Sequence, residues 1–185
     1  MHIRTQLRTA VKDRLVAAGV AGGRVFTHDP RIVGETALPL VVIEPEIENG
    51  IEVKGPRSFA PRALDRKTVG RLQIRKVRFS ATAYADTLGP KDADGNFTAI
   101  DKDADEAADD LSEAIEAALF DGANRLMTKD SGGNAVRLGE RDLQLLGTGG
   151  VRNPETGARQ VGVVHHLFEA LLLTDEGDPS TVINR

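Results

Sequence analysis

The side chains in this sequence that could do chemistry are its carboxylates, its four histidines and one glycine-rich run. Two acidic stretches invite calcium. Such loops place acids at the first, third and fifth positions, glycine at the sixth and a bidentate glutamate at the twelfth. Counting from Asp101, Asp103 and Asp105 fit, but Glu106 takes the glycine's place and Ser112 the glutamate's. Counting from Asp92, Gly95 follows Asp94 two places too early. Solvated acids and a helix cap account for both stretches. The histidines are His2, His28, His165 and His166. His165 and His166 are neighbours on a predicted strand and so point to opposite faces, which predicts one satisfied or interfacial ring and one exposed ring. Gly147–Gly150 lacks the Lys-Ser/Thr successor of a phosphate-binding loop and precedes a predicted turn. There is no cysteine, no Gly-x-Ser-x-Gly elbow and no His-Glu-x-x-His. Thiol catalysis, disulfides and Cys-ligated zinc are thereby excluded. No catalytic, cofactor-binding or metal-binding residue is nominated, and a non-enzyme is expected.

Charge is the stronger signal. The net charge of -4 conceals two blocks of opposite sign. Lys54–Arg78 holds nine Lys/Arg against the single acid Asp65, whereas Asp86–Asp121 holds twelve acids against Lys91 and Lys102. Opposite patches on neighbouring copies attract, so blocks of this kind suit interaction surfaces as well as solvated loops. The basic block could also attract nucleic acid through phosphate neutralisation. Its only aromatics are Phe59 and, just past its end, Phe79, which gives base stacking little support.

The elements that position these blocks are organised around Arg71–Thr87. From Val77 the odd positions are apolar and the even ones mostly polar, the period of two of a strand with one buried face. Leu72 and Ile74 have the opposite parity, which predicts a bulge at Arg75-Lys76. His2–Gly19 is predicted as an amphipathic helix, with Ile3, Leu7, Ala10, Val11, Leu15 and Ala18 on one side. Arg24–Phe26 reads as a short strand. The unbroken apolar run Leu40–Ile43, inside Leu38–Glu48, reads as a strand covered on both faces, with Pro45 pushing its second half towards an edge or bulge. Asn49–Gly70 and Leu88–Ile100 read as long loops. Asp103 and Glu106 form a capping box that opens a second helix running to about Phe120, ended by Asp121-Gly122. Val136–Leu146 is predicted as a strand, Gly147–Gly157 as a hairpin connection and Gln160–Thr174 as a central last strand with two apolar faces.

At 185 residues and 40% hydrophobic, the chain suits one domain, 1–174, with a polar tail, 175–185, extending away. Aromatics are 4% and tryptophan is absent, so Val, Leu, Ile and Ala must build the core. No signal peptide and no run of the ~18 apolar residues that spans a membrane is visible, and a soluble protein folding in a cytoplasm is expected. The predicted architecture is α+β: a single, mostly antiparallel sheet of about five strands, two amphipathic helices packed on one face, and long inserted loops.

The order of these pieces resembles the tail terminator proteins of long-tailed bacteriophages, the lambda-type family. The resembling segments are IRTQLRTAVKDRL, GRVF, LPLVVIEPEIENG, KVRFSATAYA, DEAADDLSEAIEAAL and the closing VVHHLFEALLLT, together spanning most of Ile3–Thr174. The chain departs from a minimal terminator by excess in Asn49–Gly70, Leu88–Ile100, Gly122–Asn134 and the tail. The resemblance implies a virion protein of the tail or neck, assembled in the host cytoplasm. It implies a homohexameric ring stacked on the last ring of the tail tube protein, with no cofactor and no membrane. Such a ring stops tube growth, offers a surface to head-completion and connector proteins, and meets DNA only as it passes through the lumen. On that reading the ring contact would use Lys54, Arg57, Arg62, Arg66 and Lys67 against Asp105, Glu106, Asp109, Asp110, Glu113 and Glu116. Another head–tail joining or tail-completion protein, or a nucleic-acid-binding protein using 54–78, are the alternatives.

Overall fold

A computed structural model describes residues 2–27, 38–45, 51–54, 72–86, 88–91, 97–99, 103–121, 126–129, 135–138, 143–152, 161–175 and 178–182. The first helix, α1, spans Ile3–Ala17, and Ile3, Leu7, Ala10, Val11 and Leu15 are all buried. It ends where Gly19 takes φ 72°, a left-handed conformation that costs glycine little. The predicted stripe holds as far as Leu15, but Ala18 is exposed.

Among the described residues there are eleven strands: β1 Val25–Phe26, β2 Leu40–Pro45, β3 Ile51–Lys54, β4 Leu72–Asp86, β5 Leu88–Lys91, β6 Phe97–Ala99, β7 Met127–Lys129, β8 Ala135–Arg137, β9 Gln144–Arg152, β10 Val161–Asp175 and β11 Asp178–Val182. The second helix, α2, Ala104–Phe120, lies between β6 and β7. In the main sheet five strands run β1-β2-β4-β10-β11, while β3 also pairs β4 and β9 also pairs β10. Only β1–β2 is parallel there. The others are antiparallel, and both helices share one core with the same sheet face. The α+β expectation is met.

Strand period explains the layering. On β4 the odd residues Val77, Phe79, Ala81, Ala83 and Ala85 are buried in the helix-side core, together with Val41 and Ile43 of β2 and Phe168 and Leu172 of β10. The even residues of β2, Leu40 and Val42, join Leu38, Phe26, Tyr84 and Val161 in a smaller cluster on the other face. This is why Leu40–Ile43 reads as a continuous apolar run: each face of β2 has its own cover. With so few aromatics, the stacked pair Phe79–Phe168, with ring centroids 5.2 Å apart, supplies the bulk at the core's centre.

Small residues let α2 sit close to the sheet. Ala104 and Ala108 of α2 lie over Gly162 of β10, where an added Cβ would collide with the Ala104 carbonyl and press on the Ala108 Cβ. Asp103 fixes where the helix starts, its Oδ1 accepting from the Glu106 N–H at 2.7 Å, as the capping box predicts.

Several sequence expectations are corrected. There is no bulge at Arg75-Lys76: the β4–β10 register is unbroken from Asp86↔Val161 to Leu72↔Asp175. The apolar phase changes there because Arg75, on the helix side, is tied to the Thr174 hydroxyl at 2.9 Å. Ile51–Lys54 belongs to a strand, not a loop, and Leu88–Ile100 contains the β5–β6 hairpin. Val136–Leu146 is not one strand: Ala135–Arg137 pairs β7, and a separate strand starts at Gln144. Gly147–Arg152, expected in a connection, continues β9 along β10. Asp178–Val182, in the tail expected to extend away, turns back as β11. Among the described residues, no helix is long and apolar enough to cross a membrane.

Gly162→Val should therefore destabilise the fold by about 3 kcal/mol, the upper end for overpacking, because the obstructing atoms are helix backbone. Gly150→Val, at a position where a Cβ meets nothing within 4 Å, should change stability by less than ~0.5 kcal/mol. Urea midpoints of the two variants check both values.

Candidate functional site

The acids nominated on α2 divide by helical spacing. The buried stripe is Ala104, Ala108, Leu111, Ile115, Ala118 and Leu119. One flank, with Ala114 and Ala118, borders the end of α1, where a shallow groove of about 600 Å³ is lined mainly by Ala17–Ala21 and by Arg14 and Asp121. Arg14 is committed there, its Nε donating to the Ala118 carbonyl at 2.8 Å and its Nη2 meeting Asp121 Oδ2 at 3.0 Å. No nucleophile or histidine lines this groove.

The opposite flank carries Asp105, Asp109, Ser112 and Glu116 at four-, three- and four-residue steps. Asp105, Glu106, Asp109, Asp110 and Glu113 are all exposed. Glu116 is not simply one of them. Its Oε1 lies 3.6 Å from His166 Nδ1, and its side chain is 40% exposed while that of His166 is 0% exposed. This contact shows that the Asp105–Glu116 flank leans over β10 towards β9, because His166 is paired with Thr148 of β9.

His166 is a structural histidine of unusual placement. It stacks at 5.7 Å on Phe168, its Nδ1 is 3.4 Å from Thr148 Oγ1, and its buried Nε2 has no hydrogen-bond partner among the described residues. Burial holds its pKa below the usual 6.5, against the opposing pull of Glu116 and with a smaller push from His165. His165 occupies the other face, as strand geometry predicts, and is half-buried, its Nδ1 3.0 Å from Thr82 Oγ1. Neither ring is the exposed one that the sequence suggested.

The basic block gives a divided result. Arg57, Arg62, Arg66 and Lys67 lie outside the described residues, and of Lys54 only its backbone place at the end of β3 is described. The block's last three cations are engaged inside the fold. Arg78 Nε meets Glu169 Oε2 at 3.0 Å, Lys76 Nζ meets Glu169 Oε1 at 3.3 Å, and Arg75 bonds Thr174. Glu169 is 5% exposed, and a carboxylate this buried is tolerated because both its oxygens are paired. Sequence reasoning missed it. The available signal was a lone acid inside the apolar run VVHHLFEALLL, which must find a cation.

Among the described residues, no group of three or more His, Asp or Glu could hold a metal ion. What the site offers instead is a surface: an acidic helix flank beside a strand, β9, whose residues from Leu146 to Gly150 are all exposed.

Two measurements test these assignments. Glu169→Leu leaves two partly exposed cations without their carboxylate and should cost roughly 1–3 kcal/mol, read from the urea midpoint. For His166, the unfolded chain takes up its proton near pH 6.5, whereas the folded chain does so only at lower pH. Protonation thus favours unfolding in that window: stability is full above pH 6.5 and declines as the pH falls below it. Thermal melts from pH 7.5 downwards should show this decline, and His166→Leu should flatten it. No protein-family model matches the chain, and a search of curated proteins finds no match.

Proposed function

We propose that this chain is a non-enzymatic virion assembly protein: a ring that caps the head-proximal end of a phage tail tube. The ring stops tube growth and presents a surface for joining the head, through contacts with the tube protein on one side and a head-completion protein on the other. DNA passes through its lumen. The order of elements that resembles the lambda-type tail terminators supports this reading, and so does the single α+β layer in which they pack.

The observation that carries it is the separation of unlike surfaces on one chain. The exposed acids Asp105, Glu106, Asp109, Asp110 and Glu113 line α2, while the positive charge of the sequence is concentrated in Lys54–Arg78, of which Arg75, Lys76 and Arg78 are engaged inside the fold and leave Lys54–Arg71 for a contact. A ring forms from heterologous contacts that close by rotation, and two different, complementary patches are what such a contact joins. Salt-bridge complementarity sets the partner and the register more than the affinity.

Light scattering on the purified chain should give a ring of about six copies, either alone or on addition of tail tubes. Raising salt from about 0.1 M to about 1 M shortens the Debye length from ~10 Å to ~3 Å and should shift the ring towards monomers. Binding to the connector in preference to tube ends would reassign the chain to another neck protein. A strict monomer that ignores tubes and binds duplex DNA would end the reading.

A further inference from the structure

Among the described residues, strand β9 pairs only with β10 and its other edge is left without guards. Along Gly147–Arg152 it is in straight register with β10, after a bulge at Leu146. It is neither short nor broken by proline, and Arg152 is the only charged residue between Gln144 and Arg152. Natural sheets protect such edges with lysines, prolines, brevity or a covering element. The opposite edge of the sheet follows that rule, since β1 has only two residues.

Among the described residues, nothing calls for the glycines of β9. Gly147, Gly149 and Gly150 show no positive φ, and a Cβ on any of them would meet nothing within 4 Å. Glycine in a strand sacrifices packing and entropy, and it marks places where another chain comes close to bare backbone. Gly150 and Thr148 lie opposite Val164 and His166, on the helix side of the sheet. The flank of α2 that holds Asp105, Asp109 and Glu116 leans over this strip, as the Glu116–His166 contact fixes.

We infer that the open edge of β9 is the docking strip for an extended basic segment from a second copy of this chain, added as a further strand. Long cationic side chains of the added strand lie across the bare glycines to reach Asp105 and Asp109. Backbone hydrogen bonds supply the adhesion and the α2 carboxylates the selectivity, the usual division of labour in strand addition. Charge chooses the occupant. The chain's own positive charge is concentrated in Lys54–Arg71, whereas Arg75, Lys76 and Arg78 are committed to Thr174 and Glu169. The inference rests on the proposed self-association but not on what the ring caps.

A charge-swap experiment on the full chain tests it. Asp105→Lys with Asp109→Lys reverses the strip; Arg62→Glu with Arg66→Glu and Lys67→Glu reverses the segment. Each variant alone should raise the concentration for assembly at least about tenfold, measured by light scattering, with circular dichroism unchanged. An equimolar mixture of the two should assemble again, because each reversed surface then meets a reversed partner on the other chain. Gly150→Phe should leave the monomer's melting temperature unchanged and abolish assembly.

Assembly that ignores all three variants would overturn the docking strip while leaving the ring standing. Loss of assembly in both reversals without recovery on mixing would overturn docking between copies. A wild-type chain that stays monomeric at every concentration, with tubes and without, would overturn this inference. Binding of that monomer to tube ends would still be a separate question, settled by cosedimentation.

Discussion

Fifteen consecutive residue pairs join Leu72–Asp86 to Val161–Asp175, and the other strands of the main sheet pair with one or other of these two, except β1, which pairs with β2. On one side β2 and β3 line up end to end along β4; on the other, β9 and β11 do the same along β10. The pairing also sets the faces. Because it contains no register shift, one parity of each strand keeps to the helix side, and a one-residue slip would turn the helix-side core residues of the slipped strand to the other face. Residues as distant in sequence as Leu72 and Asp175 must meet before this ladder exists. The loop-closure entropy spent on that meeting is recovered only by the core assembled on top of it.

That core is built by closeness rather than by large side chains. Ala81, Ala83 and Ala85 on β4 and Gly162 on β10 form a low floor, and Ala104 and Ala108 form a low ceiling. The helix therefore approaches until backbone nearly touches backbone. Such packing replaces the dispersion contacts that missing aromatics would have made, since it is the density of contact that counts. It also explains where bulk is permitted. Phe79, Phe168 and the His166 ring form a stacked series further along α2, ending near Phe120. A histidine in this series is tolerated while neutral, and that neutrality is what makes it sensitive to acid.

The elements legible in the sequence were those whose own side chains decide their structure. Ile3–Leu15, Asp103 with its cap, Leu40–Ile43 and the alternation from Val77 all carry periods or caps that need no partner to be read. Those that were not legible are decided elsewhere. Gly147, Gly149 and Gly150 would be written as a turn by any local rule, yet they form a strand because β10 supplies the ladder. Arg75 broke the apolar alternation and suggested a bulge, while the backbone continues straight and the guanidinium finds Thr174 across the sheet. The candidate surface was readable in its acids, which are exposed, but Glu116 was misplaced among them because nothing local reveals that His166 lies beneath it.

The basic and acidic blocks look alike in sequence, but they do unlike physical work. Part of the positive block is internal: Arg78 and Lys76 share the buried Glu169, and that clamp holds β4 to β10 on the face away from the helices. A carboxylate so enclosed cannot exchange partners without an uncompensated charge, so these cations are lost to any interface. The acids Asp105, Glu106, Asp109, Asp110 and Glu113 are exposed on the outer side of a helix whose start Asp105 and Glu106 favour through the dipole. Charge reserved for a partner has to be cheap to leave solvated and cheap to desolvate, and an exposed helix flank beside unfilled glycine backbone meets both conditions. The division between clamp and surface therefore follows burial, not sequence position, and it is on the β9 side of α2 that we place the proposed docking face.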